Sequence, residues 1–97
     1  MADFSLTLLA EQDLDEILMY ISKENKNAAL NLLNNFFEAF NLLADNPQIG
    51  HIREDLTDNK VRFWSVKSRY LVIYTDITPI KIIRVLNGYR DIASMLY

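Results

Sequence analysis

Between Val61 and Asn87 three short runs rich in β-branched and aromatic residues follow one another almost without interruption. They extend from Lys60 to Val66, from Arg69 to Thr75 and from Ile80 to Leu86, separated by Lys67-Ser68 and by Asp76 to Pro79. Connections this short leave no room for a crossover, so the runs read as successive antiparallel strands. Alternation opposes Val61 and Phe63 to Arg62 and Trp64 in the first, and Tyr70, Val72 and Tyr74 to Leu71 and Ile73 in the second. In the third, Ile80, Ile82 and Arg84 share a face. Arg62 and Arg84 therefore stand inside strands, where apolar or β-branched side chains are usual, and Arg90 follows soon after the last strand. A cation in such a place points at solvent, at a carboxylate or at a ligand.

The upstream half reads as scaffold for this sheet. Phe4, Leu6 and Leu8 alternate with Ser5 and Thr7, which suggests a short first strand. From Ala10 to Ser22 the stripe Leu14, Ile17, Leu18, Ile21 predicts an amphipathic helix, with Glu11 and Asp13 in the first turn where the helix dipole favours negative charge. Asp13, Asp15 and Glu16 read as its outer face. Asn25 is placed to cap a second helix that runs to about Ala44, with Ala29, Leu32, Leu33, Phe36, Phe37, Phe40 and Leu43 on a wide apolar face. The short link Lys23-Glu24-Asn25 makes the two helices an antiparallel hairpin. Asn46-Pro47 ends the second helix and Gly50 permits the turn that follows. Asp91 to Tyr97 reads as a short terminal helix. The expected architecture is α+β: a short N-terminal strand, an antiparallel helical hairpin packed on an antiparallel sheet, and a short C-terminal helix, all within one domain spanning residues 1–97.

The charge is unevenly distributed. The formal net charge is −3, which argues against a broad electrostatic footprint on nucleic acid. Yet the bases before Lys60 are only Lys23, Lys26 and Arg53, while Lys60, Arg62, Lys67, Arg69, Lys81, Arg84 and Arg90 follow, against only Asp76 and Asp91. A local basic patch on the sheet-forming half therefore survives the acidic total. With no cysteine there is neither disulfide nor thiolate metal site. Met1-Ala2-Asp3-Phe4 lacks the start of a signal peptide, and no apolar run reaches the roughly 20 residues of a membrane span. A cytoplasmic protein is expected.

The ordered set of motifs resembles the RelE/ParE toxin superfamily, and ParE more than RelE. The set comprises Ala10-x-x-Asp13-Leu14-x-x-Ile17 with Tyr20-Ile21, Asn46-Pro47-x-x-Gly50, Val61-Arg62-Phe63, Tyr70-Leu71-Val72-Ile73-Tyr74, and Arg84-Val85-Leu86-x-Gly88-x-Arg90-Asp91. The resemblance implies the toxin of a type II toxin–antitoxin pair, with a cognate ParD-like antitoxin as partner. ParE toxins poison DNA gyrase, whereas RelE toxins cleave mRNA on the ribosome. The ribonuclease needs several cations and a tyrosine around the scissile phosphate. Arg62 falls where that resemblance implies a lysine and Arg90 where it implies an arginine. Trp64 replaces a second lysine, Leu71 replaces the central arginine, and Tyr97 lies near the terminal tyrosine. Two missing cations favour a gyrase poison that works by binding, with no catalytic residue, cofactor or metal. The alternatives are an mRNA endonuclease and a degenerate protein that only binds an antitoxin.

The candidate contacts for antitoxin or target are Arg62, Trp64, Arg69, Arg84, Arg90 and Tyr97. For Arg62 and Arg84 a structural ion pair is an equal alternative, because arginine forks suit bidentate carboxylates. Arg90 with Asp91 reads as a recognition pair or, by slight preference, as a tether of the terminal helix to the sheet. Phe63 reads as core and Trp64 as an interface anchor. Phe36 and Phe40 fall at core spacing, with Phe37 open to an interface. His51, the single histidine, has no nucleophile or metal-ligand set around it and reads as a solvated loop side chain. An antitoxin segment is expected as an amphipathic helix in the hairpin groove, carrying carboxylates toward Arg62, Arg84 or Arg90.

Overall fold

The computed structural model describes residues 3–53, 55 and 60–88. Within them the order is β1 (Phe4–Leu6), α1 (Leu8–Ser22), α2 (Lys26–Asp45), β2 (Arg62–Val66), β3 (Tyr70–Thr75) and β4 (Ile80–Asn87). The strands form one sheet in the order β1-β4-β3-β2. The two hairpins pair antiparallel, as expected, and β1 adds to the outer side of β4 in parallel. The expected terminal helix at Asp91 to Tyr97 lies outside the described residues.

Local chemistry sets the boundaries. Alternation carries the first strand to Leu8, but Thr7 ends it sooner. Its hydroxyl accepts a hydrogen bond from the Ala10 amide at 3.1 Å and caps α1, which therefore begins at Leu8. Leu8 and Leu9 are consequently exposed in the first helical turn rather than packed beneath a sheet. Asn25 caps α2 in the expected manner, its Oδ1 accepting from the Ala28 amide at 3.0 Å. Three residues, Lys67, Ser68 and Arg69, join β2 to β3; Lys67 and Ser68 adopt positive φ, 58° and 56°, at the centre of a turn closed by the Arg69 amide on the Val66 carbonyl. Such turns match the right-handed strand twist but normally recruit Asn or Gly.

The helical hairpin covers one face of the sheet. Leu14 of α1 and Leu32, Phe36, Phe40 and Leu43 of α2 meet Tyr70, Val72, Tyr74, Ile80, Ile82 and Val85 in one buried cluster. Phe36 stacks edge-on against Tyr70, with ring centres 5.3 Å apart. Val61, Phe63, Leu71, Ile73 and Leu86 form a second buried cluster from the opposite face. β4 departs from simple alternation. Ile73 pairs with Arg84 and Tyr74 with Ile82, so Ile83 is an extra residue in β4. This bulge explains why Ile82 and Val85, three positions apart, both belong to the helix-side cluster.

Candidate functional site

β1 stops at Leu6, and the start of α1 covers the edge of β4 beyond it. Thr7 Oγ1 donates to the Ile83 carbonyl at 2.7 Å, and the Thr7 amide donates to the Ile82 carbonyl at 3.0 Å. Nearly two turns further along α1, Asp13 Oδ2 accepts from the Val85 amide at 3.0 Å. The same carboxylate takes Arg84 in a fork, from Nε at 2.8 Å and from Nη2 at 3.0 Å. Asp13 is thus turned toward the sheet and does not belong to the outer face of α1, where Asp15 and Glu16 remain exposed. The hydrogen-bonded Asp13 carboxylate raises the Arg84 pKa above its ordinary value; burial opposes the shift and the charge of nearby Glu16 adds to it.

Arg62 closes a second joint, where the chain leaves α2. Its Nε donates to Asp76 Oδ2 at 2.7 Å, and its Nη1 donates to the carbonyls of Gly50 at 2.9 Å and Gln48 at 3.3 Å. Tyr74, fully buried, completes the clasp: its hydroxyl donates to the Pro47 carbonyl at 2.7 Å and accepts from the Gly50 amide at 2.9 Å. Burial raises the Tyr74 pKa, against the lowering effect of the Gly50 hydrogen bond and of Arg62. Gly50 has no room for a side chain, since a Cβ there would collide with the Tyr74 hydroxyl and lie 2.7 Å from Cε1. His51 then forms a two-bond antiparallel bridge to Phe63, and its exposed ring stacks over Trp64 at 6.4 Å. The turn after α2 is therefore tied to β2 and β3 by backbone, guanidinium and phenol together.

Of the sequence-derived candidates, the structure places Arg62 and Arg84 in internal ion pairs, with Asp76 and Asp13 respectively. Trp64 is half-buried against the helix-side core, and Phe63 is core. Phe37 is partly exposed and packs on Phe4 and Phe40. Arg69, in the β2–β3 turn, is exposed. Arg90 and Tyr97 lie outside the described residues. Two openings flank the C-terminal half of α1. One is an apolar groove of about 540 Å³ between the helices, lined by Leu18, Met19, Ala29, Leu30 and Leu33 with Asp15 and Lys26 at its rim. The other is a cleft of about 270 Å³ between α1 and the β2–β3 turn, lined by Tyr20 from the helix and Arg69 from the turn. In the sequence Tyr20 figures only in the helix motif and not among the candidate contacts, although its position off the Leu14, Ile17, Leu18, Ile21 stripe marks it for exposure.

No helix among the described residues is long and apolar enough to cross a membrane. The model of a family described as "ParE toxin of type II toxin-antitoxin system, parDE" matches residues 4–92. Among solved structures, "Chromosomal ParDE TA system from P. aeruginosa" resembles the chain with a TM-score of 0.73 at 21% identity, covering 92% of this chain and 98% of that one. At that identity the likeness speaks for the fold. No curated relative matches the chain.

Proposed function

The chain belongs to the ParE family of toxins of type II toxin–antitoxin systems, and we propose that it acts in the cytoplasm as a poison of DNA gyrase, silenced by a cognate ParD-like antitoxin. Family membership carries this reading. The toxin would bind gyrase while the DNA is cleaved and hold that state, so that replication stalls. Nothing in such an action requires the toxin to supply a nucleophile or a general acid.

The use of the arginines supports binding over phosphodiester chemistry. A ribonuclease must aim its cations at the charge that develops on phosphate. Here Arg62 directs its donors at Asp76, Gly50 and Gln48, and Arg84 directs its fork at Asp13. Leu71, which stands where a ribonuclease would carry its central arginine, is buried in the second cluster. The antitoxin would lay an amphipathic helix in the groove between α1 and α2, where Met19 and Leu30 are more than half exposed at 62% and 59%.

Induction of the chain in a bacterial cell tests the proposal. We expect double-strand DNA breaks and a DNA-damage response, both abolished when the antitoxin is co-expressed. Codon-specific cuts in mRNA by primer extension, with intact DNA, would instead favour the endonuclease reading. Harmless expression of folded protein would leave only an antitoxin-binding role.

A further inference from the structure

We propose that the cleft between the C-terminal half of α1 and the β2–β3 turn is a carboxylate-reading subsite for the antitoxin; this rests on the antitoxin reading above. Arg69 takes the carboxylate, and Tyr20 packs on the apolar side chain next to it.

The arginines of the described residues are not equivalent. Arg53, Arg62 and Arg84 each hold a carboxylate of this chain. Arg69 makes no side-chain hydrogen bond or ion pair among the described residues, yet its backbone is fixed. Its amide donates to the Val66 carbonyl at 3.3 Å, and its own carbonyl accepts from the Gly88 amide at 2.9 Å, which ties the turn to the end of β4. A fork whose donors find no partner among the described residues, on an anchored backbone, is the arrangement that bidentate carboxylate recognition uses.

The walls of the cleft narrow the choice of ligand. α1 contributes Ile17 and Ile21, both half-buried, and Tyr20, which is 73% exposed. An apolar side chain settling there would shed water and lower the local dielectric around the Arg69 pair, which strengthens it. Tyr and Arg are also the residue types that dominate binding hot spots. Glu16 stands on the α1 wall and Asn87 beside Arg69. The cleft is therefore polarised: a carboxylate is attracted to the turn side and repelled from the helix side, which fixes the direction of the bound segment.

The test uses the intact chain and the purified product of the gene adjacent to its own, with affinity measured by calorimetry. R69E and Y20A should each weaken binding about tenfold or more. K81E makes the same charge change at an exposed position of β4, about 20 Å along the strand from Asn87, and should change affinity less than about twofold. Thermal melts confirm that each variant is folded; all three positions are exposed. Equal weakening by R69E and K81E would show a diffuse charge effect and overturn the proposal. Tight wild-type binding that R69E and Y20A leave unchanged would overturn the cleft alone. Absence of wild-type binding would overturn the antitoxin reading, and this inference with it.

Discussion

Asp13 holds Arg84 with both carboxylate oxygens while also accepting the Val85 amide, so one side chain of α1 closes the bulge of β4. The side chains of the pair are 14% and 17% exposed. Removing one partner strands the other in a site with little water. D13A should therefore cost about 2–4 kcal/mol in urea denaturation. D13A combined with R84L should cost less than D13A alone, because the uncompensated charge is gone.

Arg62 is bound by geometry as much as by charge. A lysine keeps the charge but cannot reach Asp76, Gly50 and Gln48 at once. R62K should cost only about 1 kcal/mol, since Asp76 is about a third exposed and solvent screens the pair. Its clearer signature is local. Hydrogen exchange of the Gly50 and His51 amides should accelerate, with core amides of β3 unaffected.

Gly50 and Tyr74 answer to each other. G50A drives a methyl into a buried ring and should cost about 1–3 kcal/mol. Y74F removes the phenol and leaves the buried Gly50 amide unpaired, for about 1–3 kcal/mol at neutral pH. The pH dependence has a definite sign. The folded-state pKa of Tyr74 is raised, so its stabilisation is complete below the unfolded value of about 10 and is lost as pH rises through the folded value. Denaturation curves between neutral and strongly alkaline pH should show wild type losing stability faster than Y74F.

Ser68 sits at φ 56° without being glycine. S68G should relieve this conformation and stabilise the chain by roughly 0.5 kcal/mol, since the relief of about 1 kcal/mol is partly offset by glycine's greater freedom when unfolded. Thermal melting of the single variant checks it. Arg69 keeps its backbone hydrogen bonds, so the neighbouring cleft should be unchanged.

Much of the fold was legible because its signals are local. Asn25 capped α2 as its side chain predicts, and the three β-runs paired in the expected order. The misplaced end of β1 came from a conflict at Thr7, where alternation and capping compete and the cap wins through a contact with Ile83 that is remote in sequence. The partner of Arg84 was out of reach for the same reason. Strand periodicity showed an arginine in an unusual place but could not reveal that a bulge would bring it to Asp13. Tyr74 as the clasp on Pro47 and Gly50 was likewise hidden, since an alternating tyrosine reads as packing until its hydroxyl finds a partner. The exposed pair Tyr20 and Arg69 comes together only in the folded chain.

The most direct measurement is plasmid supercoiling by purified gyrase with and without this protein, followed by denaturation of gyrase to reveal trapped breaks. We predict loss of supercoiling together with accumulated linear plasmid, and reversal of both when antitoxin is added. Unchanged supercoiling and no linear DNA, with folded toxin in excess over gyrase, would contradict the account.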